Sequence, residues 1–154
     1  MSKLDTLEPG FREKVARLIE RTELATGRKW GISDGRRTMA QQKAIYDQPH
    51  DGKDNDHDGK IDEPDEKVSN APPGYSAHNF GLAADLWPLT AKGDFDWNAS
   101  RSLFRVMVQI AEEELGLTSG IHFKTIPGGD APHVEDPSWK TVQAAWEKGE
   151  VQVA

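Results

Sequence analysis

The chain contains no cysteine among its 154 residues, and this absence excludes a disulfide framework and any metal site built on thiolates. It also lacks an apolar run near the ~20 residues that a membrane-spanning helix requires. The first ten residues have no apolar core of the kind that secretory signal peptides carry. We therefore expect synthesis in the cytoplasm, without a signal peptide and without insertion into a membrane.

An excess of positive charge is missing as well, because the formal net charge is -7 at pH 7. Domains that bind nucleic acid usually carry a basic patch or stripe, so this balance argues against a nucleic-acid partner. A length of 154 residues is sufficient for one domain with its own hydrophobic core. We therefore expect a single, monomeric domain over residues 1–154.

The hydrophobic periodicity predicts a mixture of helices and strands. Apolar residues at helical spacing predict helices at 9–26, 99–117 and 137–149, with a further helix that Thr38 caps and that reaches about Asp47. Short segments bounded by turn residues predict strands at 29–34, 83–88 and 120–123.

The segment Ser-Ala-His-Asn-Phe-Gly-Leu-Ala-Ala-Asp, residues 76–85, carries the clearest chemical signal. It places His78 and Asp85 seven residues apart, with small residues between them that allow close backbone packing. Imidazole and carboxylate are both zinc ligands, and a catalytic zinc site typically uses three protein ligands. His133 is the natural candidate for the third ligand. A lone pair of this kind is more often a surface or core feature, so the interpretation depends on the complete pattern.

The complete pattern resembles a known family. Ser-x-His-x-x-Gly-x-Ala-x-Asp, followed later by an acidic residue three positions before a His, is similar to the zinc D,D- and L,D-peptidases of bacterial cell walls. These include the VanY/VanX-like carboxypeptidases and the L-alanyl-D-glutamate endopeptidases that serve as phage endolysins. The resemblance implies an α+β fold of the hedgehog/DD-peptidase type, in which a small antiparallel sheet carries the zinc site and helices pack around it.

The resemblance also implies roles for individual residues. His78, Asp85 and His133 would bind zinc, and Asp130, three residues before His133, would act as general base and then as general acid. Arg37, in Arg-Arg-Thr before the second helix, would contact a substrate carboxylate or the developing oxyanion.

Several neighbouring residues have less definite expectations. Ser76 would hydrogen-bond the substrate or support the site, and Glu135 is a second candidate for the base. Arg36 is expected to be a solvated arginine paired with nearby acids, which is also the alternative for Arg37. Many relatives carry a Trp-Gly-Gly-Asp-Trp run near His122, and this chain does not. His122 is therefore either a substrate contact or a structural histidine, the second being favoured.

An acidic segment at about 50–66 interrupts the similarity to the family. It matches the ligand spacing of a calcium loop, with a glycine, Gly59, at the sixth position. The candidate calcium ligands are Asp54, Asp56, Asp58, Lys60 through its backbone carbonyl, Asp62 and Asp65. The twelfth position is Asp65 where the pattern has Glu, which would weaken binding. The alternative is a solvated acidic loop.

The implied function is a zinc metallopeptidase that cuts the peptidoglycan stem peptide, most specifically an L-alanyl-D-glutamate endopeptidase acting as a phage endolysin. Such an enzyme would reach the cell wall or periplasm after release through a phage holin. A D-Ala-D-Ala carboxypeptidase with the same site chemistry is an alternative. A third possibility is a calcium-dependent wall-binding module without catalysis, but a binding module would have no need of a base such as Asp130.

Overall fold

The computed structural model describes residues 2–47, 71–124 and 126–154. Within these ranges the helices are α1 (Pro9–Thr26), α2 (Met39–Tyr46), α3 (Arg101–Leu115) and α4 (Trp139–Glu147). The strands are β1 (Trp30–Asp34), β2 (Ala83–Pro88), β3 (Thr118–Ser119) and β4 (His133–Glu135), and three short 3-10 helices cover Lys3–Thr6, Ala77–Phe80 and Gly120–His122. This arrangement confirms the predicted α+β class. No helix in the described part of the chain combines the length and the apolar character needed to cross a bilayer.

The first helix has both ends encoded locally. Glu8 caps its first turn by accepting hydrogen bonds from two backbone N–H groups, and Pro9 occupies a position where no N–H is needed. Gly27 ends the helix in the left-handed conformation at φ 68°. Between these ends, Phe11 and Leu18 are buried on the face that packs against α3 and the sheet.

The hydrophobic core lies between α1, α3 and one face of the sheet. From α3 it receives Phe104, Met107, Val108 and Ala111, which form the buried face of that helix. Val106 of the same helix is only half-buried.

The sheet is antiparallel throughout, with the strand order β1-β2-β4-β3. Strand β2 is central and pairs with β1 on one side and with β4 on the other. In this register Asp85 lies opposite His133 of β4 and opposite Asp34 of β1, next to an irregularity between Ile32 and Asp34. The middle of the sheet thus brings together residues that are far apart in sequence.

The strand predicted at 120–123 is wrong. The extended residues in this region are Thr118–Ser119, and the chain then turns into the 3-10 helix Gly120–His122. The Gly120 carbonyl accepts hydrogen bonds from the N–H groups of Phe123 at 2.9 Å and Asp130 at 2.7 Å, so the backbone closes on the following loop. The predicted helices at 99–117 and 137–149 are each shorter, at Arg101–Leu115 and Trp139–Glu147.

Candidate functional site

Three potential metal ligands meet at the centre of the sheet. His78 comes from the 3-10 helix Ala77–Phe80, Asp85 from β2 and His133 from the start of β4. One side-chain donor atom from each lies within 4.8 Å of the others. Asp85 Oδ1 is 3.4 Å from His78 Nε2 and 3.2 Å from His133 Nδ1. The structure therefore brings together the three residues that the sequence predicts as zinc ligands.

The backbone around His78 fixes the direction of its imidazole. Ser76 begins the short helix, and its Oγ accepts a hydrogen bond from the His78 N–H at 3.3 Å. Gly81 ends the helix in the left-handed region at φ 71°. The His78 Nδ1 lies 2.8 Å from the Gly35 carbonyl, and when it donates there, Nε2 keeps its lone pair toward Asp85.

The imidazole of His133 is held from both sides. Its Nδ1 faces Asp85, and its Nε2 lies 2.7 Å from Glu135 Oε1. The other oxygen of Glu135 accepts a hydrogen bond from Trp139 Nε1 at 2.6 Å. A histidine that binds a metal through one nitrogen usually donates the other N–H to a carboxylate or carbonyl. Both histidines of this site have such an outer partner.

Burial and charge act strongly on this group in the metal-free protein. Burial lowers the pKa of His133, but hydrogen bonds and charge from Asp85 and Glu135 outweigh it and raise the pKa to about 10. Burial likewise raises the pKa of Asp85, but hydrogen bonds and charge from His133 and His78 outweigh it and hold the pKa well below its ordinary range. The Asp85 carboxylate is therefore ionised, as a ligand must be.

The donor set fits zinc. Two imidazoles and one carboxylate are a common catalytic zinc set, which leaves a coordination position for water or substrate. The two histidines are buried, whereas the Asp85 side chain retains 21% exposure and faces a cavity. A zinc ion would be held by His78, Asp85 and His133, with Gly35 and Glu135 orienting the two imidazoles.

A cavity of about 520 Å³ opens onto these ligands. Asp130, Arg37 and Ser76, which the sequence predicts as base, cationic contact and substrate contact, line it together with the three ligands. Burial raises the pKa of Asp130, and the negative charge of Asp85 raises it further. The positive charges of His133, His78 and Arg37 oppose this shift only in part.

The two neighbouring arginines have different environments. Arg37 is 13% exposed, forms an ion pair with Asp34 and donates from Nη1 to Gln42 Oε1 at 2.8 Å, while it lines the cavity. Arg36 instead donates from Nε to the Thr6 carbonyl at 2.9 Å. Arg36 was expected to be a solvated arginine paired with nearby acids, but it is half-buried and its partner is this backbone carbonyl.

The structure gives some residues of the site a role that the sequence did not predict. Glu135 contacts His133 and so orients its imidazole. Side chains alternate along a strand, so residues 133 and 135 lie on the same face. Trp139 packs against the core, and it also donates to Glu135 and lines the cavity. Tyr75 and Lys140 also line the cavity, and no sequence signal marked them.

His122 does not belong to the residues that line this cavity. Its side chain is 64% exposed, and Nε2 lies 2.9 Å from Glu112 Oε1 on α3. This favours the structural interpretation of that histidine. The candidate calcium ligands lie outside the described residues; they are Asp54, Asp56, Asp58, Lys60, Asp62 and Asp65.

Comparison with known proteins identifies the family. The sequence profile of VanY, D-alanyl-D-alanine carboxypeptidase, matches residues 5–114, which is more than half of the chain. The chain belongs to the VanY family. It is thereby a member of a peptidoglycan peptidase family. The segment matched to VanY includes Arg37, Ser76, His78 and Asp85, whereas Asp130 and His133 follow it.

Solved structures show the same fold at low sequence identity. The L-Ala D-Glu endopeptidase ChiX of Serratia marcescens is 20% identical, with a TM-score of 0.55, over 90% of this chain and 86% of ChiX. A vancomycin-resistance D,D-pentapeptidase VanY mutant in complex with Zn(II) is 17% identical, with a TM-score of 0.58, over 93% and 79% of the two chains. The LD-carboxypeptidase LdcB is 20% identical, with a TM-score of 0.57, over 96% and 77%. No curated protein sequence matches the chain.

Proposed function

We propose that this VanY-family chain is a zinc metallopeptidase that hydrolyses the L-Ala–D-Glu bond of the peptidoglycan stem peptide. One observation carries the proposal: the three ligand candidates His78, Asp85 and His133 open onto a cavity that Asp130 and Arg37 also line. An endopeptidase of this specificity, ChiX, is among the proteins with the same fold.

The residues of the cavity supply what peptide hydrolysis requires. When bound, zinc supplies Lewis-acid polarisation of the scissile carbonyl and lowers the pKa of water. Asp130 takes a proton from the attacking water and returns it to the leaving amine, while the new C–O bond forms and the C–N bond breaks. Arg37 donates toward the carbonyl oxygen as negative charge develops there. The Ser76 hydroxyl already accepts from the His78 N–H, so its own proton is available to a substrate carbonyl.

The nearest alternative is a D-Ala-D-Ala carboxypeptidase, which membership of the VanY family favours. Purified peptidoglycan is digested with wild-type protein or with Asp130→Asn, in the presence of zinc, and the products are analysed by mass spectrometry. New amino-terminal D-Glu from the wild type alone supports the endopeptidase, and release of D-Ala supports the carboxypeptidase. Wall binding without cleavage by either protein would contradict both and favour a binding module.

The proposed biological role is that of a phage endolysin, acting as a monomer on the host cell wall after release through a holin. This role is an inference from the resemblance described above. Expression in a bacterial host with and without a co-expressed holin tests it. Lysis that requires both the holin and an intact Asp130 is expected, whereas lysis independent of Asp130 contradicts it.

Calcium binding by the acidic segment at 50–66 remains a prediction from the sequence. The spacing of its carboxylates is the support, and the expected effect is that calcium orders the segment and regulates activity. Calcium is titrated while peptidoglycan hydrolysis and the melting temperature are followed, with Asp54→Asn/Asp56→Asn as the control variant. A wild-type protein that responds in neither measurement contradicts the prediction.

A further inference from the structure

Lys140 is a cationic side chain of the cavity that the roles described above leave unused. It lies in the first turn of α4, directly after Trp139, and both residues line the cavity. Its side chain is exposed, and within the described residues no ion pair to it is found. The arginine of the cavity, Arg37, is already engaged by Asp34 and Gln42.

The position of Lys140 is unfavourable for helix stability. The amino-terminal turn of a helix carries a partial positive charge, so acidic residues are favoured there and a cation is disfavoured. The first turn of α4 contains no acidic residue. Stabilisation of the helix therefore does not account for a lysine at this point.

The charged groups of the metal-ligand cluster are largely paired with one another. His133 lies between Asp85 and Glu135, and the charge of Arg37 is offset by Asp34. A substrate carboxylate that binds away from this cluster therefore needs a cation of its own. Lys140 offers three N–H donors on a flexible stem, which suits such a contact.

We propose that Lys140 binds a carboxylate of the stem peptide and so determines which substrates the site accepts. This inference rests on the proposed peptidase function and deepens it. Two carboxylates of the substrate class have this chemistry. One is the free α-carboxylate of D-Glu, beside the L-Ala–D-Glu bond, and the other is the terminal carboxylate of a D-Ala-D-Ala peptide.

The test compares synthetic stem peptides in pairs that differ by one charge. The first pair carries either D-Glu with a free α-carboxylate or D-isoglutamine, its α-amide. The second pair ends in D-Ala-D-Ala as the free acid or as the C-terminal amide. Each peptide is assayed with zinc-loaded wild type, Lys140→Met, Lys140→Arg and Lys148→Met. Lys148 is an exposed lysine at the end of the same helix and outside the cavity lining, so its replacement changes the net charge equally.

The expected result for Lys140→Met is a KM about 3- to 10-fold higher for the carboxylate form of one pair, with kcat unchanged. The amide form of that pair should show no change, Lys140→Arg should restore most of the preference, and Lys148→Met should resemble the wild type. The pair that responds identifies which carboxylate is bound. Equal melting temperatures exclude a loss of folding as the cause.

Two results overturn the inference in distinguishable ways. In the first, the wild type cleaves a peptide, and the KM values of Lys140→Met for its acid and amide forms equal those of the wild type. Lys140 then does not bind the carboxylate, and the peptidase function stands. If the zinc-loaded wild type cleaves none of the four peptides, the proposed function fails together with the inference.

Discussion

Glu135 Oε1 lies 2.7 Å from Nε2 of His133, so the two residues at alternate positions of one short strand form a carboxylate–imidazole pair. The second oxygen of Glu135 accepts from Trp139 Nε1, which links the pair to the first turn of α4. The pair fixes the imidazole so that Nδ1 faces Asp85. It therefore connects the position of a candidate metal ligand to the packing of a helix.

Replacement of Glu135 by Gln should weaken metal binding without unfolding the protein. The amide keeps the size of the side chain but removes its charge, and it cannot accept from both His133 and Trp139. Loss of such an outer partner typically lowers metal affinity by ~10- to 100-fold. Competition with a chromophoric zinc chelator measures the change, and Glu147→Gln at the exposed end of α4 is the matched control. An unchanged affinity in Glu135→Gln would show that the pair does not support the metal.

Replacement of Arg37 should reduce catalysis, whereas replacement of Arg36 should reduce the stability of the fold. Arg37→Ala is expected to reduce kcat by ~100-fold or more, because one preorganised donor to the developing charge is lost, while the zinc content is retained. Arg37→Lys should recover little, because the guanidinium is held by Asp34 and Gln42 through separate nitrogens. Arg36→Ala should leave kcat near that of the wild type and lower the free energy of unfolding by about 1 kcal/mol, since its bond to the Thr6 carbonyl is lost.

Peptide hydrolysis and urea unfolding, measured on the same preparations, separate the two effects. A loss of kcat in Arg36→Ala that equals the loss in Arg37→Ala would contradict the assignment. So would an Arg37→Ala protein that lacks zinc, because the loss of activity would then have a different cause.

The elements whose ends are determined locally were predicted well from the sequence. Helix α1 has the predicted bounds, since Glu8 and Pro9 define its start and Gly27 its end. Strand β2 also has its predicted bounds, Ala83–Pro88. Thr38 caps α2 in a reciprocal arrangement with Gln41. In each case the residues that decide the boundary are neighbours in the chain.

The features that sequence reasoning missed depend on contacts between distant segments. The chain turns at Gly120, where the carbonyl accepts a hydrogen bond from the Asp130 N–H of a later loop. No pattern in the neighbouring sequence predicts this contact. The contact between Trp139 and Glu135 requires the relative placement of α4 and β4. His133 was predicted as a ligand through the family resemblance, and the register of β2 against β4 explains how it reaches Asp85.

Gly120 should tolerate no side chain. A Cβ at this position would lie 2.5 Å from the Asp130 carbonyl oxygen and 2.8 Å from the Cβ of His133. Gly120→Ala must therefore displace the segment that carries both the proposed base and a proposed ligand. We expect lower kcat and weaker zinc binding in this variant, measured by peptide hydrolysis and chelator competition. Gly10→Ala is the control, because the nearest atom to its Cβ would be 3.4 Å away, and wild-type behaviour of Gly120→Ala would contradict the packing argument.

Asp136 should make the stability of the fold depend on pH in the acidic range. Burial raises its pKa, but hydrogen bonds from Ser138 and the Lys14 ammonium at 3.1 Å outweigh this and lower the pKa below its ordinary value. A carboxyl group whose pKa is lowered by folding contributes stability above its unfolded pKa, and this contribution is lost as the pH falls through the folded pKa. Asp136→Asn should therefore lower the free energy of unfolding at pH 7 and leave it nearly unchanged near pH 2.

Urea unfolding of the metal-free protein across pH 2–7 measures this dependence. Metal-free protein is used because loss of a bound metal at low pH would add its own pH dependence. Asp94→Asn, in the exposed turn after β2, serves as the control and should lose no stability at pH 7. Because Asp136 links α1 to the segment between β4 and α4 through Lys14, a clear difference between the two variants would show that this link stabilises the fold. Equal pH dependence in Asp136→Asn and wild type would show that the contact of Lys14 with Asp136 contributes nothing measurable in solution.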